Sequence, residues 1–360
     1  MKLFLLAVTF WLALFEALAR SRGLRGASWG VQGIGPALPL VVLFSLRRSG
    51  RPGLSTLVVS MLALPLALLL HIGLATARNW RLNPLDQLRP GSYSDRTIER
   101  LDLPGPYGVI PALLITPQVP TDRAVCVVHG SGCDKTFYAW RLVDGLIGSS
   151  MAVLLIDLDG HGESPRPQAH PQILGGVTGA VGWLRARFQR VGLLAMSLGG
   201  AVAAQAIAEG LAVDALVIEE SPPELRLDQA GYRRVQRQEA VRLLNPAVLH
   251  LLADGSPLNV AQAWRTSGIR ATIGTWDLFD ALDLLGSLGQ ISVQPAEQRP
   301  PTLLIYAAND MIVPRAQMER VRAVASDWAH FELLSGASHL SLPIDMRAIR
   351  LATDWLSKHL

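Results

Sequence analysis

The chain has 360 residues, half of them hydrophobic, and a formal net charge of +4. The positive charge lies in the first 82 residues, which hold nine basic side chains and one acidic one. The remainder carries −4 and offers no basic surface for a nucleic acid. The two cysteines, Cys126 and Cys133, lie outside any C-x-x-C or Cys/His cluster, so the sequence predicts neither a disulfide framework nor a metal site. We also predict no cofactor.

Three apolar runs fall at residues 3–18, 31–46 and 54–75. A membrane-spanning helix needs about 20 residues, which the third run supplies. We therefore predict a membrane anchor of two or three transmembrane helices at residues 1–78, followed by a linker at 79–95. A cleaved signal peptide is the alternative for the first run. The distribution of arginines beside these runs slightly favours a cytoplasmic location for the domain that follows.

From residue 96 onward, short apolar runs alternate with helical patterns, which predicts an α/β fold. Most of these runs lack polar alternation, as is typical of strands buried on both faces of a parallel sheet. The prediction is a mostly parallel eight-stranded sheet with helices on both faces. The strands are predicted at residues 97–103, 108–116, 124–129, 152–157, 191–196, 215–219, 302–307 and 329–334.

Residues 222–291 hold helical patterns and no clear strand. They are predicted to form a helical cap inserted between two strands. Its aromatic side chains, Trp264, Trp276 and Phe279, could be helix core or could line an apolar substrate pocket, and the sequence leaves both readings open.

Ser197 lies between an apolar strand and a helix of small residues, in the run Ala195-Met196-Ser197-Leu198-Gly199. The pattern G-x-S-x-G places a serine on a sharp strand-to-helix turn, where its hydroxyl is exposed at the end of a sheet. Alanine replaces the first glycine here, which is a mild departure because alanine is the next smallest residue. A serine that only caps the helix is the alternative.

Other polar residues also follow predicted strands, at the edge where ligands gather in such sheets. Asp310 comes after the seventh strand and His339 after the eighth, while His129-Gly-Ser-Gly-Cys133 follows the third. Glu219 and Glu220 end the sixth strand, so either could replace Asp310 as the acidic partner of a histidine.

The order of Ser197, Asp310 and His339 resembles that of the α/β-hydrolase superfamily, over residues 96–360. The chain is most similar to the esterase and monoacylglycerol-lipase-like branch. The resemblance also rests on His129-Gly130, on the run Asp157-Leu-Asp-Gly-His-Gly-Glu-Ser164, on Asn309-Asp310 with Val313-Pro314, and on Gly336-Ala-Ser-His339.

This resemblance implies a role for each residue. His339 would accept the proton of the Ser197 hydroxyl, and Asp310 would orient His339. Backbone N–H groups of Leu198, and of Ser131 or Gly132, would form an oxyanion hole. We call residues 130–133 the oxyanion loop. His129 and His161 are expected to be structural, Asp157 and Asp159 to shape their own turn, and Lys135 to be a solvated loop residue.

The sequence thus predicts a membrane-anchored serine hydrolase that cleaves an ester or thioester of an apolar acyl group. Its expected partners are a small-molecule or lipid-like ester and the lipid bilayer, without nucleic acid. Acyl transfer or peptide cleavage on the same fold is an alternative, and a non-catalytic binding protein is another. The sequence does not indicate an oligomeric state.

Overall fold

The computed structural model divides the chain into two compact units, Met1–Gln87 with Ala240–Ala261, and Leu88–Glu239 with Gln262–Leu360. The structure describes residues 88–136, 139–225, 227, 230–231, 234–235 and 269–360, and in the first unit residues 4–5, 7–12, 14, 62–63, 66–67 and 69–70.

The second unit contains a nine-stranded sheet of order β1-β2-β3-β5-β4-β6-β7-β8-β9. All eight predicted strands are present. The ninth is a two-residue edge strand that falls in the predicted linker. The strands are β1 (Gly91–Ser92), β2 (Arg96–Gly105), β3 (Gly108–Pro117), β4 (Arg123–Val128), β5 (Ala152–Ile156), β6 (Arg190–Met196), β7 (Ala215–Glu219), β8 (Thr302–Ala307) and β9 (Ala329–Leu334).

Strands β4 to β9 pair in parallel, whereas β1, β2 and β3 form an antiparallel edge. Every residue of β5, β7 and β8 is buried. Their continuous apolar sequences therefore match strands that are covered on both faces. Because the parallel strands point the same way, the residues that follow β6, β7, β8 and β9 meet at one edge of the sheet.

Seven α-helices are described in this unit: α1 (Ala139–Gly148), α2 (Leu174–Arg185), α3 (Leu198–Ala208), α4 (Thr275–Leu282), α5 (Leu284–Ser292), α6 (Arg315–Ala325) and α7 (Met346–His359). On one face, α2, α3, α5 and α6 share a core with Leu193 of β6. The neighbouring Gly192 lies against Leu356 of α7, which also contacts α1. Since successive strand residues point to opposite faces, the helices cover both sides of the sheet.

The structure changes the predicted extent of the cap. Helices α4 and α5 both pack on α3, and α5 also contacts α6, so they belong to the layer that covers the sheet. Just before them, Gln168 forms a β-bridge with Ala271, which holds this end of the insertion to the loop after β5. The remainder of the predicted cap lies mostly outside the described residues.

Most of the predicted anchor also lies outside the described residues. Within the first unit, Val8 is buried together with Ala63 and Ala67, so the first and third apolar runs are in contact there. No helix among the described residues is long and apolar enough to cross a bilayer.

Candidate active site

Ser197 occupies a strained turn between β6 and α3. Its φ of 48° and ψ of −115° are unusual for a residue with a side chain. The turn is held in place because the Ser197 N–H donates to the carbonyl of Glu219, at 2.7 Å. A Cβ atom on Gly199 would lie 2.6 Å from the carbonyl oxygen of His129, so α3 approaches β4 this closely only with a glycine there.

Two hydrogen bonds join Ser197, His339 and Asp310 across three loops. The Nε2 atom of His339 lies 3.2 Å from the Ser197 hydroxyl oxygen. Its Nδ1 atom lies 2.7 Å from Oδ2 of Asp310. Each residue follows a different strand, β6, β8 or β9, so the parallel sheet brings together groups up to 142 positions apart in the chain.

The backbone after β8 holds Asp310 rigidly. Its Oδ1 atom accepts hydrogen bonds from the N–H groups of Ile312 and Val313, at 2.7 and 2.8 Å. Its side chain is fully buried. These contacts fix the orientation of the carboxyl group, which in turn keeps the His339 ring in one orientation.

Glu219 and Glu220, the two alternatives to Asp310, do not hydrogen-bond His339. Glu220 has Oε2 at 3.8 Å from Nδ1 of His339, beyond hydrogen-bond distance. Glu219 is buried, its Oε2 has no hydrogen-bond partner among the described residues, and burial raises the pKa of its carboxyl to about 8. Of the three acids, Asp310 is therefore the one that hydrogen-bonds His339.

Glu220, Asp310 and His339 also present a donor set that a divalent cation could use, with one ligand atom from each within 4.8 Å of the others. However, Nδ1 of His339 and Oδ2 of Asp310 are already joined by a hydrogen bond, and Oδ1 of Asp310 accepts two backbone donors. A cation at this position would have to displace these three hydrogen bonds.

The oxyanion loop lies directly against Ser197. A Cβ atom on Gly130 would be 3.2 Å from that of Ser197, and Gly132 adopts a φ of 73°. The Cys133 N–H donates to the Gly130 carbonyl, which closes the loop into a tight turn. Leu198 begins α3, so its N–H has no acceptor within the helix. Ser131 and Gly132 follow Gly130 in this loop, and Leu198 directly follows Ser197.

Lys135 is not the solvated residue that the sequence suggests. Its side chain is 6% exposed, and Nζ lies 2.5 Å from Asp157 and 2.7 Å from Glu163. Asp157 also accepts the backbone N–H groups of Lys135 and Glu163. An ion pair therefore ties the chain just after the oxyanion loop to the loop after β5.

His129 and His161 hold loops in place, as the sequence predicts. The Leu158 N–H donates to Nε2 of His129, whose Nδ1 faces the Gly130 carbonyl at 2.8 Å. His161 directs Nδ1 at the Asp159 carbonyl. Burial lowers the pKa of both rings, that of His161 to about 4, so both are neutral at pH 7.

The three predicted pocket residues have different surroundings. Phe279 is 2% exposed and belongs to the core that includes α3, which accounts for its burial by helix packing. Trp276 is partly buried and its Nε1 donates to the Leu227 carbonyl. Trp264 lies outside the described residues.

Sequence reasoning missed two residues at this site. Lys135 is one of only three lysines in the chain, and the loop Asp157–Ser164 offers the acidic partners, but nothing in the sequence pairs them. Glu220 was considered only as a replacement for Asp310, whereas the structure places both carboxylates beside the same ring.

Comparison with known proteins agrees with this architecture. A hypothetical protein of Pseudomonas aeruginosa is 19% identical, with a TM-score of 0.55 over 74% of this chain and 95% of its own. An esterase of Pyrococcus furiosus is 14% identical, with a TM-score of 0.51 over 75% and 98%. A bromoperoxidase of Bacillus anthracis is 17% identical, with a TM-score of 0.54 over 72% and 100%.

At these identities the solved structures establish the fold alone. No curated protein matches the chain in sequence. The model of the alpha/beta hydrolase family, by contrast, matches residues 124–352, well over half of the chain and all of the loops that carry Ser197, Asp310 and His339. The chain belongs to the alpha/beta hydrolase family.

Proposed function

We propose that this protein is a serine hydrolase that cleaves an ester or thioester of an apolar acyl group through an acyl-enzyme. The observation that carries the proposal is the continuous hydrogen-bonded line from Ser197 through His339 to Asp310. A binding protein on the same fold would have no need for a strained serine turn aligned with a histidine and a buried carboxylate.

The chemistry follows from this geometry. The Ser197 oxygen attacks the acyl carbon while its proton passes to Nε2 of His339. Asp310 keeps the Nδ1 proton directed at itself and stabilises the imidazolium that forms. The negative charge on the former carbonyl oxygen would be held by backbone N–H groups of Leu198 and of Ser131 or Gly132. His339 then returns its proton to the leaving group, and water repeats the sequence to release the acid.

Water is the acceptor we favour, on fold-level likeness to esterases, among them the enzyme of Pyrococcus furiosus. Transfer of the acyl group to another acceptor and peptide cleavage would use the same residues. A panel of p-nitrophenyl esters, compared with matched anilides and with added alcohols, separates these three reactions.

An apolar substrate is proposed from the composition of the insertion. Trp276, in the described part of the insertion, is one candidate for the wall of an apolar pocket. Trp264, in the same predicted cap, is another. Each buried CH₂ contributes about 0.8 kcal/mol, so kcat/KM should rise by up to about fourfold per carbon over short acyl chains. Acetyl, butyryl and octanoyl esters test this, and a flat profile would remove the apolar pocket from the proposal.

We further propose that residues 1–78 anchor the enzyme in a membrane. The exposed leucines of the third apolar run support this, since Leu62, Leu66 and Leu69 recur at helical spacing and are 64, 40 and 67% exposed. A bilayer would cover such a face. Full-length protein should stay in the membrane pellet after a carbonate wash, and its release into the supernatant would refute the anchor.

Fluorophosphonate labelling tests the nucleophile. The wild-type protein should be labelled on Ser197, and Ser197→Ala should lose both labelling and ester hydrolysis while keeping its thermal unfolding midpoint. Labelling that persists on Ser131, Ser164 or Ser221 in the variant would show that the nucleophile has been misassigned.

A further inference from the structure

Glu220 is held beside the histidine by a strained backbone. It follows β7 directly, and its φ of 50° lies in the left-handed region that residues with a side chain seldom adopt. Its N–H donates to the Ile305 carbonyl of β8 at 2.9 Å, which fixes the peptide in this orientation. The side chain is only 3% exposed. A costly backbone conformation thus places a carboxyl group in the interior of the site.

Two buried carboxyl groups consequently face one nitrogen. Oδ2 of Asp310 lies 2.7 Å from Nδ1 of His339, and Oε2 of Glu220 lies 3.8 Å from the same atom. The two carboxyl groups come from neighbouring strands, since Asp310 follows β8 and Glu220 follows β7. The charge that His339 gains when it takes the serine proton would therefore be next to both.

The other titratable groups around the ring are few in the described part of the chain. Ser197 faces Nε2, and Tyr306 of β8 lies near both acids, its hydroxyl donating to the Ser221 carbonyl. Burial raises the pKa of Tyr306, and the charges of Asp310 and Glu220 raise it further, so the phenol remains neutral. Of these groups, Asp310 is the one whose negative charge lies beside the same nitrogen as Glu220.

We propose that Glu220 is a second, positioning carboxylate for His339, which stabilises the imidazolium from outside hydrogen-bond distance and takes over part of the role of Asp310 when that residue is neutralised. This inference rests on the proposed serine hydrolase function. In the reaction, the Ser197 proton moves to Nε2 and the Nδ1 proton stays on the ring, directed at Asp310. Glu220 neither gains nor loses a proton, so its contribution is electrostatic.

The first test is a pH profile of p-nitrophenyl butyrate hydrolysis by the full-length chain in detergent. A nearby negative charge favours the protonated form of a base. Glu220→Gln should therefore move the acidic limb of kcat/KM to lower pH and reduce kcat by about tenfold, equivalent to about one pH unit of lost stabilisation. Glu219→Gln is the matched control, because Glu219 is equally buried but is not an ion-pair neighbour of His339, and it should leave that limb in place.

The second test is a double-mutant cycle with Asp310→Asn. If Glu220 substitutes for Asp310, Glu220→Gln should cost at least about tenfold more activity in the Asp310→Asn background than in the wild type. A purely structural role would cost the same factor in both backgrounds. Glu220→Asp retains the buried charge one methylene farther away, and should displace the acidic limb in the same direction but less. This variant preserves the test if the glutamine substitution prevents folding.

The outcomes distinguish failure of the proposed function from failure of the proposed role of Glu220. A wild-type protein without hydrolysis and without Ser197 labelling would overturn the proposed function, and the role of Glu220 with it. An active wild type in which neither Glu220 variant displaces the acidic limb, and in which the cycle shows no coupling, would overturn the role of Glu220 alone.

Discussion

Lys135 and Asp157 form a buried ion pair, with Nζ and Oδ2 separated by 2.5 Å and side chains that are 6 and 0% exposed. The pair joins the segment just after the oxyanion loop to the loop that follows β5. A charge at this depth is stable only with its partner, because an unpaired buried ion loses hydration without compensation. The pair thus helps to position the loop that carries the proposed oxyanion donors.

Removal of one partner should therefore be costly. Lys135→Met should lower the free energy of unfolding by about 3–5 kcal/mol, because it leaves the buried Asp157 carboxylate without its cation, and should reduce kcat more than it changes KM. Arg100→Ala is the control, since Arg100 pairs with Glu163 at the surface, where both side chains are about half exposed, and such pairs contribute about 0–1 kcal/mol. Urea unfolding and ester hydrolysis measure both effects. Equal losses in the two variants would show that burial of the pair is unimportant.

Gly199 offers a test of packing at the nucleophile turn. A Cβ atom there would lie 2.6 and 2.8 Å from the carbonyl oxygens of His129 and Val128. Gly199→Ala should force α3 away from β4, with a loss of about 1–3 kcal/mol in stability and a fall in activity.

The matched control is Gly182→Ala in α2, where a Cβ atom would meet nothing within 4 Å. Helical glycine is less favourable than alanine, so this variant should be about 0.5–1 kcal/mol more stable than the wild type. Thermal unfolding of both variants checks the pair. A Gly199→Ala protein as stable as the wild type would mean that α3 shifts without cost.

Glu219 should make stability depend on pH. Its carboxyl titrates near 4.5 when unfolded, and burial raises its pKa to about 8 in the fold. Between these values the folded state holds a proton that the unfolded state has released, so stability is greatest below about pH 4.5 and falls as pH rises toward 8, by up to about 1.4 kcal/mol per unit.

Glu219→Gln removes this titration and should flatten the fall in stability between pH 5 and 8. Urea unfolding of wild type and variant across that range measures the difference. Parallel stability curves for the two proteins would show that Glu219 is ionised in the fold.

Phe279 distinguishes core packing from a substrate pocket. Because its side chain is 2% exposed within the core that includes α3, Phe279→Ala should cost about 3–5 kcal/mol. Val293→Ala, at an 82% exposed position just after α5, should change stability by less than about 0.5 kcal/mol. If Phe279→Ala were stable but changed the acyl-length preference, Phe279 would instead line the pocket.

The sequence alone predicted the parts of this protein that depend on local pattern. The bounds of β7 and β8 coincide with those predicted from apolar runs, because strands buried inside a sheet are continuously apolar. Ser197 was found from its strand-to-helix context for a similar reason. By contrast, β1 is two exposed residues held by hydrogen bonds to β2, and such pairing leaves no apolar pattern.

Only the tertiary structure decided which charged groups meet. The sequence predicts a solvated Lys135 because its partner, Asp157, lies 22 positions away on another loop. Glu219 ends β7, Glu220 follows β7 and Asp310 follows β8, so all three lie at the same edge of the sheet. The 2.7 Å contact to His339 selects Asp310, and the turn at Glu220 brings a second carboxyl to 3.8 Å. Apolar periodicity is a property of neighbouring residues, whereas hydrogen bonds and ion pairs depend on distances that the folded sheet alone sets.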